Sequence, residues 1–181
     1  MPVIKEEKIN SEVVFTVAKK MLVAARTSPK GRGIDNLSLL VINGNEIKKL
    51  SKKMKELGKK HKMSFFIRDA QNILQSPYLV LMGTKVSAFG LPKCGFCGFE
   101  NCAEKNKHKN VPCAFNTGDL GIAIGSAVSI ATDNRIDNRI MYSAGYAAIA
   151  IGLLPKNIKV AYGIPLCAKS KNPFFDRVFK L

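Results

Sequence analysis

Three short apolar runs set the frame for this chain: "LSLLVIN", "YLVLMGTK" and "KNIKVAYGIPL". Each is nearly continuous and rich in β-branched residues. That is the composition of a strand covered on both faces, not of a half-exposed strand that alternates apolar and polar. Strands of that kind need layers above and below them, and the rest of the chain supplies helices. Asn10 or Ser11 can cap a helix running to about Arg26, with Val13, Val14, Val17, Met21 and Leu22 inward. The segment "EIKKLSKKMKELGKKHK" repeats apolar residues at Ile47, Leu50, Met54 and Leu57, the spacing of one helical face. "FFIRDAQNIL" reads as a strand edge or turn leading into a short helix that Pro77 ends. Two apolar helices are expected near 116–132 and 137–152. Helices outnumber strands and do not alternate strictly with them. The reading is therefore α+β: a central mixed or antiparallel sheet flanked by helices, in one domain over 1–181.

One segment fits neither pattern. "PKCGFCGFENCAE" crowds Cys94, Cys97 and Cys102 together, and Cys113 follows, giving C-x2-C-x4-C-x10-C within an excursion at 89–114. "MPVIKEEKINSE" has no apolar stretch of a signal peptide, and no apolar run is long enough to span a bilayer. A cytoplasmic location, where thiols stay reduced, is the expectation. Clustered cysteines there point to a metal or redox role. Gly95 and Gly98 each follow a cysteine and permit sharp bends; Lys93, Lys105, Lys107 and Lys109 surround the thiols with positive charge. Three uses compete: a [4Fe–4S] cluster on all four cysteines, a structural zinc, or a dithiol switch on C-x2-C alone. His108 could replace one cysteine but reads more simply as a surface histidine. Cys167, at the end of the third run, reads as a small core residue.

The formal net charge is +16, with 23 Lys against 6 Arg. Many of the lysines lie on the amphipathic helix after the first strand, with no aromatic interleaving. Nucleic acid is therefore a poor fit, and an acidic redox partner suits the charge as well. No Ser-His-Asp set, paired carboxylate site or P-loop is visible.

"CGFCGFENCAE" resembles the C-G-x-C-G-x-x-x-C-A-E signature of four-cysteine [4Fe–4S] domains in redox-complex subunits and corrinoid iron–sulfur proteins. Together with "AARTSPKGRGIDN", "DLGIAIGSAV", "DNRIMYSAGYAA" and "GIPLCAKSKNPFFDR", it resembles an uncharacterised family of ferredoxin-domain-containing proteins along nearly the whole chain. That resemblance implies a [4Fe–4S] cluster on Cys94, Cys97, Cys102 and Cys113. A second resemblance, carried by "AARTSPKGRGIDNLSLLVI", "SPYLVLMG" and "IAIGLLPKNIKVAYGIPL", is to the flavin-dependent nitroreductase fold. It implies FMN, with Asn36 near the flavin and Lys169 and Lys171 at its phosphate. Arg26, Lys30 and Arg32 are further phosphate-binding candidates. The arginine-serine opening typical of nitroreductases is absent here. The same resemblance, with the small residues of the two apolar helices, implies a homodimer. Two functions follow: an electron-transfer protein, acting as a flavin-linked oxidoreductase if FMN binds, or a zinc-stabilised binding protein whose basic surface meets RNA or an acidic partner.

Overall fold

A computed structural model describes residues 3–175 of the chain. Among these residues the sheet has four strands: β1 (Leu37–Asn43), β2 (Tyr78–Lys85), β3 (Asp137–Asn138) and β4 (Ile158–Cys167), in the order β1-β2-β4-β3. Every pairing is antiparallel. The three expected runs therefore lie in one sheet, side by side.

The alternation along β2 explains the layering. Successive strand side chains point to opposite faces. Leu79 and Leu81 enter a core built with α2 (Gly44–Lys60), α3 (Ser64–Ile73) and α6 (Tyr142–Ala150). Val80 and Met82 enter the opposite core, under α1 (Glu6–Thr27) and α5 (Ala114–Asp133). Ile47, Leu50, Met54 and Leu57 are buried as their spacing requires, which leaves the lysines of α2 facing outward. No described helix is long and apolar enough to cross a membrane.

Three local expectations change. "FFIRDAQNIL" is helical almost throughout, as α3, because Phe66, Ala70 and Ile73 form one buried stripe. The segment from 137 opens as β3 rather than as a helix. Asp137 and Asn138 pair with Cys167 and Leu166, and the helix α6 begins only at Tyr142. Helix α1 begins at Glu6, ahead of the expected caps: Asn10 sits inside it and donates its side-chain amide to Glu6. Val13 faces outward, 45% exposed. The final residues of the polar tail lie outside the described residues.

Helix α6 lies unusually close to the sheet. A Cβ placed on Gly145 would come within 1.9 Å of the Ala161 carbonyl oxygen, and one on Gly163 within 2.6 Å of Ala144. Glycine is required at both because backbone meets backbone or methyl there. Gly145→Ala is expected to lower unfolding stability by at least ~3 kcal/mol, since the strand cannot retreat without breaking its ladder to β2. Gly118→Ala, where an added Cβ meets nothing, is expected to be neutral or to stabilise by up to ~1 kcal/mol. Urea denaturation of both variants tests the pair; equal effects would contradict the packing described.

Candidate functional site

Between the end of β2 and the start of α5 the chain makes an excursion carrying one short helix, α4 (Cys102–Lys107). It holds all four clustered cysteines. Cys94 and Cys97 lie in a turn in which the Gly98 N–H donates to the Gly95 carbonyl at 2.9 Å. Gly95 and Gly98 have φ of 91° and 85°, so both occupy conformations that side-chain-bearing residues rarely adopt. Cys102 opens α4, whose cap is Asn101: its Oδ1 accepts from the Glu104 N–H at 2.9 Å. Cys113 is the N-cap residue of α5 and is buried, at the positive end of a long helix dipole. The other three thiols are half-buried, and all four are free of disulfides.

Aromatic stacking draws these parts together. Phe96, between the first two cysteines, lies parallel to Phe115, two residues after Cys113, with ring centroids 5.6 Å apart. Phe89 packs on the same ring at 5.7 Å. The turn bearing Cys94 and Cys97 is thus held near the helix start bearing Cys113. His108 stacks on Phe99 at 4.9 Å and stands 4.0 Å from the Glu104 carboxylate, engaged on the surface of the excursion. These aromatics carry no obvious mark in the sequence. Their positions beside the cysteines are the only signal they give.

Among the described residues, no group of three or more His, Cys, Asp or Glu side chains is arranged to hold a metal ion. The donor set nonetheless has the chemistry of a thiolate-ligated centre: four unpaired cysteines on one excursion, with glycine turns beside two of them and a helix N-terminus at a third. Cys167 differs. It is buried in the core, and burial, reinforced by the Asp137 charge, pushes its thiol up to about 12, against a smaller opposing effect of Lys169. It stays protonated at neutral pH.

The segment from Arg26 to Asn36 is bonded directly to the excursion. The Gly31 N–H donates to both carboxylate oxygens of the buried Asp119 at 3.2 Å. Arg32, at φ 52°, donates to the Gly90 carbonyl at 3.1 Å. Asn36 donates to Asn116 at 2.9 Å, and Asn116 donates to the Ser87 carbonyl at 2.7 Å. Lys30 turns back onto α1, where its ammonium caps the carbonyls of Ala25 and Arg26 and also meets Ser28. Arg26 pairs with Asp35 at 2.5 Å. Asn116 and Asp119, which lock this junction, are given no role from sequence because both lie in a largely apolar helix; the one signal is that Asp119 opens the stretch "DLGIAIGSAV".

Lys169 and Lys171 do not join them. They follow the end of β4, and Lys169 donates to Gln75 at 3.2 Å. The ladder from Thr84–Val160 to Tyr78–Leu166 separates that end from Asn36 by about 20 Å. The six flavin candidates therefore form two sets at opposite ends of the sheet, and one chain does not gather them.

Known proteins place this architecture. A nitroreductase with bound FMN from Bacteroides fragilis superposes with a TM-score of 0.59 at 14% identity, over 92% of this chain and 81% of that one. A BluB-like flavoprotein from Clostridium difficile 630 gives 0.57 at 20% identity, over 99% and 87%. The fold is that of the nitroreductase-like flavoproteins: an antiparallel sheet flanked by helices. Residues 109–177 match a family described as "Uncharacterized protein containing a ferredoxin domain (DUF2148)". An uncharacterized protein of Archaeoglobus fulgidus is 38% identical over 184 residues, covering 98% of each chain. The chain belongs to this ferredoxin-domain family. Of the four clustered cysteines, only Cys113 lies within the matched span.

The Arg26–Asp35 pair has a pH signature. Partial burial tends to raise the Asp35 carboxyl. The hydrogen bonds from Arg26 and the Leu37 N–H, with the charges of Arg26 and Lys30, outweigh it and hold the carboxyl below its ordinary value. A carboxylate depressed in the folded state contributes stability above its unfolded pKa, and that contribution disappears as pH falls through the folded pKa. Asp35→Asn is therefore expected to lower the melting temperature slightly at pH 7 and not at pH 2–3. An equal loss at both pH values would count against the ion pair.

Proposed function

We propose that the chain is an iron–sulfur redox protein in which Cys94, Cys97, Cys102 and Cys113 ligate one [4Fe–4S] cluster, with FMN as a second redox group. The observation that carries this reading is the junction itself. Arg32 bonds the Arg26–Asn36 segment directly to Gly90 of the cysteine excursion, and the start of α5 clasps both, the segment through Asp119 and Asn116 and the excursion through the Phe96–Phe115 stack. That segment is the part of the fold that resembles the flavin-side turn of nitroreductases. The family's ferredoxin domain and the FMN bound by a structural neighbour support the two cofactors. When bound, a cluster of this type supplies one-electron transfer. The chain's own contribution is position and potential. Gly95 and Gly98, both at positive φ, let the chain bend tightly around the first two sulfurs, and Cys113 is fixed at the first turn of α5. Cys167, protonated and buried in the core, takes no part.

Serine in place of any of the four clustered cysteines should cut iron and acid-labile sulfide sharply after anaerobic reconstitution, because oxygen is a poor ligand for a soft cluster site. Cys167→Ser should retain the wild-type content. Full iron in Cys113→Ser with loss in Cys167→Ser would sink the ligand assignment. Tight binding of one zinc without uptake of sulfide would sink the electron-transfer reading.

The two sets of flavin candidates lead to a homodimer. A single FMN that meets Arg32 or Asn36 and also Lys169 or Lys171 has to draw them from two chains. Exposed apolar side chains on the outer helices are available for such pairing: Val13 and Val23 on α1 and Ile122 on α5 are 45%, 63% and 50% exposed. Light scattering at micromolar concentration should give a dimer, and Val23→Asp with Ile122→Asp should give a monomer that loses FMN on gel filtration. A wild-type monomer that retains FMN would refute the shared site.

A further inference from the structure

A cavity of about 430 Å³ opens between the cysteine excursion and the end of the sheet, on the far side of Val86 and Ser87. Lys85, Lys105, Lys109 and Lys159 line it, with Asn106 and Asn157 beside them. No acidic and no aromatic side chain does. Two features separate it from an ordinary lysine-rich surface. Lys105 is only 2% exposed, yet among the described residues no carboxylate pairs with it. Its ammonium donates to the Val86 carbonyl and has two further N–H donors. A buried charge without a counter-charge is costly unless an anion arrives to match it. Lys159 is the second feature. Thr84 pairs with Val160 and Lys85 with Ile158, so Lys159 is the extra residue of a β-bulge, a device that re-aims side chains at sheet ends. The bulge lies on the wall of the same cavity.

We infer that this cavity binds a small molecule through a diphosphate group. One phosphate group carries about two negative charges, which would leave part of the four ammoniums unmatched. A diphosphate matches them more fully, and the asparagine amides add neutral donors. The buried position of Lys105 requires a group small enough to enter, which disfavours a protein surface. The absence of aromatic lining disfavours stacked nucleic-acid bases. The lysine face of α2 makes a useful contrast. Its groove, lined by Lys48, Lys52, Lys55 and Lys59, contains Glu56, and Glu56 is already paired with Lys53.

The inference is independent of the cluster and flavin readings, and its test needs neither cofactor. Inorganic pyrophosphate is titrated into the full chain by calorimetry at pH 7 and low salt, with orthophosphate in parallel. Pyrophosphate should bind one per chain, about tenfold or more tighter than orthophosphate. Lys85→Gln with Lys159→Gln should weaken pyrophosphate by about tenfold or more. Lys48→Gln with Lys52→Gln removes the same charge from α2 and should leave binding unchanged. The Lys85/Lys159 variant decides the matter, because both residues sit at the rim and Lys105→Met risks loosening α4. No heat at millimolar pyrophosphate, equal affinity for orthophosphate, or equal weakening by the α2 variant would each overturn the inference.

Discussion

Everything in this molecule takes its register from β2. The strand is paired along both edges, and its side chains alternate between two separate cores. It cannot slip by one residue without exchanging the contents of those cores. Because its register is fixed, its exit at Lys85 is fixed too. The excursion, the junction with the Arg26–Asn36 segment and the basic cavity all begin from that point. Helix α6, seated on β4 through Gly145 and Gly163, holds the neighbouring strand just as firmly.

The excursion is secured differently. Between Val86 and Cys113 its only described helix is six residues long. It has little core of its own, and its order comes from borrowed contacts. These are the Phe89, Phe96 and Phe115 rings, the Arg32 bond to Gly90 and the Asn116 bond to Ser87. Each aromatic pair is worth only about 0.5–1.5 kcal/mol beyond burial. A loop held by a few such contacts can adjust locally while the scaffold beneath it stays rigid. Gly31 is one of the joints. A Cβ there would press on Phe89 at 3.0 Å, so the Arg26–Asn36 turn and the cysteine loop are packed as one unit.

Charge is distributed with similar economy. The lysines of α2 that follow its buried stripe are largely solvated and say little about function. Lys105, in the middle of an apparently similar run, is buried and lacks a carboxylate partner. In one dimension the two runs look alike. Folding puts the first on an outer helix face and the second against the end of a strand, where desolvation gives one ammonium an energetic consequence that its exposed counterparts do not have.

Much of the fold was legible because its signals are local. Continuous apolar runs gave the three long strands, and the spacing of Ile47, Leu50, Met54 and Leu57 gave α2. The four cysteines were legible because their crowding is a one-dimensional fact, as was the core placement of Cys167. The two-residue strand β3 was not. Asp137 and Asn138 have no strand propensity and form a strand through their pairing with the end of β4. Nor was the start of α3, whose aromatic residues resemble a strand until Phe66 finds its place against α6. Sequence alone determined the layers and the crowding of four cysteines on one excursion. Only the tertiary structure decided that Asn116 and Asp119 clasp the turn at Gly31, that the flavin candidates divide between two ends of the sheet, and that four lysines close on one cavity. Each of these depends on residues distant along the chain, and only the register of the sheet brings them together.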